Sequence, residues 1–198
     1  MQKLFLMSVT ALEDEKLFNM ARDRVSGERK QKADRLVLKK DKRLCVGAEL
    51  LLRYALGTEK IELEYGAYKK PYLKNNGLYF NISHSEEYVI CVIGDSENGC
   101  DIEKVKDYDD AVAPRVLTND EYASVSESSD KAERFFKYWT RKESYTKAIG
   151  CGFHIEPNEL YISDEYTFSE FDVSGYKCTV CAKEPCSDFE MVNVADII

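Results

Sequence analysis

The chain opens on a short apolar run, Lys3 to Val9, that reads as a strand and passes into a polar, partly helical segment. Helical spacing comes next. Leu44, Ala48, Leu51, Leu52 and Ala55 repeat at i, i+4, i+7, i+8 and i+11, which predicts a helix from Asp41 to Leu56 ended by Gly57. Extended pieces follow: "EYGAYKKPYLKNNGLYF" reads as strand and turn segments with a tight turn at Asn76-Gly77. "FNISHS" then leads into the strand "YVICVIG", a short loop (Asp95 to Asn98) and "NGCDIEKV", which alternates like a strand. The second half repeats the style. Thr118 stands three before Glu121, and Asp130 three before Glu133, two helix starts of the capping-box kind. The second helix runs through "KAERFFKYWTRKESYTKAI" to Gly150, and "ELYISDEYTFSEFDVSGYKCTVCA" finishes as two or three antiparallel strands. Each half is a helix plus several strands. The prediction is an α+β protein of two similarly built lobes, residues 1–106 and 107–198.

At 198 residues such a chain buries a substantial core, and its composition, 44% hydrophobic and 32% charged, is that of a globular protein. Its apolar runs are far shorter than the ~18 residues of a membrane span. The N-terminus has too short an apolar segment, with acids too early, for a secretory signal, so the expected location is the cytoplasm. Seven scattered cysteines fit a reducing compartment. "KCTVCAKEPC" suggests half of a zinc site, but no second Cys or His pair matches it, and on a strand Cys178 and Cys181 face opposite ways.

The net charge of −8 conceals a basic segment. Residues 28–43 carry eight basic side chains, Arg29, Lys32 and Arg43 among them, against three acids, while the remainder stands at −13. A solvated helix face is one reading, and an anionic ligand or partner the other. General nucleic-acid binding is disfavoured, because the acidic remainder repels a phosphate backbone over any long contact.

Three short patterns carry candidate chemistry. In "GCDIE", Asp101 and Glu103 share one strand face with their Cβ atoms about 6–7 Å apart, which is either a solvated face or half of a metal site. Trp139, Glu143 and Lys147 are each four apart on one helix side, either a core anchor with an ordinary ion pair or part of a site. In "NISHS", Ser83 and His84 are adjacent on an extended chain and point apart, a poor nucleophile–base geometry. There is no G-x-S-x-G elbow, Walker loop or G-x-G-x-x-G. Side chains must therefore hold any nucleotide. Three carboxylates with lysines and a histidine suit magnesium beside phosphates, and hence phosphoryl transfer.

"NISHS", "GCDIE" and "WTRKESYTK", in this order and with these separations, resemble the signatures of the Sfp-type 4′-phosphopantetheinyl transferases. The resemblance extends to "KKP" (Lys69–Pro71), "RLCVGAELLLRYAL" and "GYKCTVCA", covering nearly the whole chain. It implies two pseudo-symmetric α+β lobes with coenzyme A in the cleft between them. The 4′-phosphopantetheine arm would pass to a serine hydroxyl of an acyl or peptidyl carrier protein, leaving adenosine 3′,5′-bisphosphate. It assigns magnesium to Asp101, Glu103 and Glu143, makes Glu143 the candidate base for the carrier serine, and sets Lys147 against the pyrophosphate. Ser83, His84, Lys70 and Arg43 would meet the nucleotide phosphates, with Arg29 and Lys32 near the 3′-phosphate. It implies a monomer, with neither nucleic acid nor membrane as partner. The chain departs from the pattern in places. Relatives often carry glycine or a small residue after "HS", where Glu86 and Glu87 stand here, and some carry threonine at the position of Leu44.

Overall fold

The structure is a computed structural model that describes residues 1–74 and 77–198; Asn76 of the expected Asn76-Gly77 turn lies outside the described residues. The first half contains β1 (Lys3–Ser8), α1 (Glu15–Arg24), α2 (Gly27–Arg35), α3 (Lys39–Leu56), β2 (Leu63–Tyr65) and β3 (Pro71–Leu73). It continues with β4 (Tyr79–Ser85), β5 (Tyr88–Gly94) and β6 (Asn98–Lys104). Then come α4 (Ala113–Val116), α5 (Asn119–Ser126), α6 (Lys131–Ile149), β7 (Thr167–Val173), β8 (Tyr176–Ala182) and β9 (Phe189–Val192). The fold is α+β, as the hydrophobic pattern predicts.

The helices start and stop for local reasons. Thr118 caps α5 in a full capping box with Glu121, and the Asp130 side chain accepts from the Glu133 amide to start α6. Gly57 and Gly150 close α3 and α6 in the left-handed conformation, which glycine adopts without steric cost. The basic segment is divided between two helices. α2 ends at Arg35, and an extended stretch precedes α3, which begins two residues before the expected Asp41.

Four consecutive buried residues, Leu4 to Met7, identify β1 as a strand covered on both faces. It lies inside a four-stranded sheet of order β4-β5-β1-β9, antiparallel to β5 and parallel to β9. One face, with Phe5, Met7, Val89 and Cys91, packs on α3 through Leu44, Ala48 and Leu51. The other, with Leu4, Leu6, Ile90 and Val92, packs on Cys100, Ile102, Cys178 and Val180 of a second sheet, ordered β6-β8-β7. The outer face of that sheet meets α6, where Tyr145 and Ala148 pack with Cys181. Cys178 and Cys181 thus sit on opposite faces, and all seven cysteines are free thiols. The sheets cross the residue-106 division in both directions: β6 pairs with β8, and β9 returns to β1.

Candidate active site

Both β4 and β6 are edge strands, and the site forms where they meet. An edge strand leaves every second backbone amide without a ladder partner. On β6 two of those amides are met by side chains of "NISHS". Asn81, Ser83 and Ser85 lie on one face of β4 because strand side chains alternate. Asn81 Oδ1 accepts from the Cys100 amide at 3.0 Å, and Ser85 Oγ accepts from the Lys104 amide at 3.2 Å. The two serines then donate onward to the acids. Ser83 Oγ donates to Asp101 Oδ1, and Ser85 Oγ to Glu103 Oε2, each at 2.8 Å.

The fourth participant comes from α6. This helix can lie close on β6 because Gly99 has no side chain; a Cβ there would run into the Ser144 carbonyl and the Ala148 amide. The close approach brings Lys147 Nζ to 2.6 Å from Asp101 Oδ1 and 3.1 Å from Ser83 Oγ. Asp101 is buried, and its Oδ2 has no hydrogen-bond partner. Burial pushes the Asp101 carboxyl above its ordinary range, and Lys147 and Ser83 reverse that only in part. Burial opposes the Lys147 charge too, but the Asp101 carboxylate outweighs it and keeps the ammonium protonated.

Glu103 and Glu143 belong to the same electrostatic unit. Desolvation raises both carboxyls, and the Asp101 charge raises them further; Ser85 offsets this at Glu103, and Lys147 at both. Glu143 and Lys147 line a cleft of about 210 Å³ together with Tyr68, Lys70, Asn81 and Thr146. Three oxygen-bearing side chains with an orphaned buried oxygen among them suit a hard divalent cation. Among the described residues no three metal-binding side chains converge into a ready-made cage, and the Lys147 ammonium sits on the central carboxylate instead.

The other expected residues are more dispersed. His84 faces the α3 side of its sheet, opposite Ser83. Its outer edge is exposed, yet desolvation of the ring, then the Lys147 and Lys32 charges, holds it below its ordinary value. Arg43 reaches Glu13 at 3.1 Å through Nη2, while its Nε is buried and unpartnered. Lys70 turns inward, donating to the Ala148 carbonyl at 2.6 Å and to that of Asn98 at 3.1 Å. Burial lowers its pKa to about 8. Arg29 is bound to the buried Glu49 carboxylate at 3.3 Å and, with Lys32, lines a separate cavity of about 260 Å³. Trp139 is half-buried against Phe135 in the apolar cluster at the start of α6.

Sequence reasoning passed over Asn81, Ser85 and Gly99. The period-two alternation of β4 contains the signal for the first two, whereas the glycine's importance needs the helix above it. The two acids after "HS" leave the cluster alone: Glu86 pairs with Lys40 at 2.8 Å, and Glu87 accepts from the Tyr176 hydroxyl at 2.9 Å.

Fold and site together are those of an α+β enzyme that gathers carboxylates and a lysine at one seam. Comparison with known proteins makes the class specific. Residues 97–191 match the model of the 4′-phosphopantetheinyl transferase superfamily. The 4′-phosphopantetheinyl transferase gsp of Aneurinibacillus migulanus is 32% identical over 192 residues, 85% of this chain and 81% of that protein. Psf-1 of Bacillus pumilus is 32% identical over 162 residues (76% and 70% of the two chains), and Sfp of Bacillus subtilis strain 168 is 26% identical over 201 (88% and 90%). The chain belongs to the 4′-phosphopantetheinyl transferase family.

Proposed function

We propose that the protein transfers the 4′-phosphopantetheine arm of coenzyme A to a serine hydroxyl of an apo acyl or peptidyl carrier protein, releasing adenosine 3′,5′-bisphosphate. The observation that carries this reading is the Ser83–Asp101–Lys147 cluster, with Glu103 and Glu143 coupled to it and a buried, unpartnered Asp101 oxygen at its centre. Asp101, Glu103 and Glu143 are the side chains that would hold Mg²⁺. When bound, the ion supplies positive charge beside the phosphates.

The chain's own residues supply the rest. Glu143, held half-buried with its carboxyl raised, takes the proton of the incoming serine. The serine oxygen bonds to the pantetheine-side phosphorus as the bond from that phosphorus to the bridging oxygen breaks. The leaving bisphosphate carries the electron pair away. Lys147 faces the growing negative charge with a protonated ammonium. The nucleotide phosphates meet Arg43, whose Nε has no partner, with Ser83 and His84, and Lys70 joins them only by giving up the Ala148 and Asn98 carbonyls; Arg29 and Lys32 receive the 3′-phosphate. The nucleophile arrives on the partner, in keeping with the separation of Ser83 and His84 onto opposite faces.

Lobes 1–106 and 107–198 form the two walls of the cleft in this reading, and the protein works as a cytoplasmic monomer. Seven free thiols suit that compartment, and no helix among the described residues is long and apolar enough to cross a membrane. The test is direct. Incubation with coenzyme A, Mg²⁺ and an apo carrier protein should add the arm to the carrier, read by intact-mass spectrometry. Failure to modify any of several unrelated carriers contradicts the reading.

A further inference from the structure

The Asp101 carboxylate has two oxygens with opposite fates. Oδ1 accepts from both Ser83 Oγ and Lys147 Nζ, whereas Oδ2 is buried and has no partner. A buried carboxylate oxygen left unpaired costs free energy, so the arrangement suits a state awaiting another ligand. The two partners also differ in their freedom to move. The Asp101 side chain is 4% exposed, fixed on β6, while that of Lys147 is 28% exposed and borders the cleft. If the pair separates, Lys147 is the one that can leave.

We propose that Lys147 is the resident counter-ion of the cation position: in the free protein its ammonium stands in for the divalent cation at Asp101 and must leave before that cation binds. The proposal rests on the magnesium reading above and extends it. One positive charge already neutralises the central carboxylate, and a second cation brought to the same oxygens is repelled by it. Coenzyme A offers the ammonium another anionic partner in its pyrophosphate. Moving to it gives up Asp101 and clears the carboxylate. The neighbouring lysines are not equivalent substitutes, because Lys70 is committed to two backbone carbonyls and Lys142 to Glu121 and the Pro157 carbonyl. Metal and donor substrate therefore bind with positive coupling that passes through one side chain, reciprocal by thermodynamic necessity.

The test measures Mn²⁺ affinity by electron paramagnetic resonance for the wild type, Lys147→Met, Lys147→Gln and Lys147→Arg, without and with saturating coenzyme A. Without coenzyme A, the Met and Gln variants should bind Mn²⁺ at least tenfold more tightly than the wild type, or about 1.4 kcal/mol. The Arg variant, which keeps a cation at the carboxylate, should stay within about threefold of the wild type. Met and Gln variants that bind no more tightly than the wild type overturn the proposal while leaving the magnesium reading standing. Should no form bind Mn²⁺ even with coenzyme A, the magnesium reading falls and the proposal with it. If the neutral variants do not fold, the wild type provides the readout: its Lys147 Nζ resonance must shift as Mg²⁺ saturates the protein. Cation binding with that resonance unmoved overturns the proposal.

Discussion

Ser85 shows how one hydroxyl can serve both the frame and the chemistry. It accepts from the Lys104 amide and donates to Glu103 Oε2, so it ties the edge of β6 to one of the proposed metal ligands. Ser85→Ala leaves that carboxylate oxygen without its donor. The Mg²⁺ concentration for half-maximal transfer should rise about tenfold, with kcat at saturating Mg²⁺ changing far less, as removal of a metal ligand's outer partner generally does. Ser85→Thr restores the hydroxyl and should recover most of the affinity; an unchanged Mg²⁺ requirement in the alanine variant would count against the role. Glu86, next in the chain, raises a backbone question. Its φ of 50° lies in the left-handed region that suits glycine. Glu86→Gly should stabilise the fold by about 1 kcal/mol in urea unfolding, less whatever the exposed Lys40 pair contributes. Leu44 is buried as part of the core beneath the first sheet.

Among the elements, the contact of α6 with β6 sets the position of Lys147 against Asp101. Gly99 permits it, and Gly99→Ala places a methyl group against helix backbone that has no rotamer to yield. A loss of at least ~3 kcal/mol in urea unfolding is expected, with transfer activity failing in parallel. A variant within 1 kcal/mol of the wild type would mean that the helix can shift without cost. The elements themselves were largely legible. Apolar spacing marked α3, caps marked α5 and α6, and alternation marked β6 and β8, because each of these signals is local. β4 was less so. "FNISHS" read as a lead-in, and only pairing with β5 shows it as a full strand whose polar side chains cover an edge. Of the candidate site, the sequence patterns singled out Asp101, Glu103, Glu143 and Lys147, whose part in the chemistry is the proposal made above. The Lys147–Asp101 pair was not legible, since the helix periodicity pairs Lys147 with Glu143 and sequence offers no view across 46 residues.

Across the whole molecule, the two larger sheets pack face to face, and Lys70, just ahead of β3, joins the end of α6 to the start of β6. Its ammonium reaches the carbonyls of residues 148 and 98. Its folded pKa of about 8 lies below the ordinary value of 10.5, so between those two pH values the unfolded chain binds more protons than the folded one. Burying the charge therefore costs stability below pH 8, and the cost is relieved as pH rises toward 10.5. Relative to Lys70→Met, the wild type should gain on the order of 3 kcal/mol across that window in urea unfolding. Parallel pH profiles would show that the ammonium is not buried in solution. The same packing places the carboxylates of β6 where the sheets and α6 meet, and the proposed transfer stands or falls there. The most direct measurement is the rate of carrier modification by Asp101→Asn at saturating coenzyme A, with circular dichroism confirming the fold. A fall of at least ~100-fold is expected for loss of the charge at the centre of the cluster. A rate within threefold of the wild type would place the chemistry elsewhere.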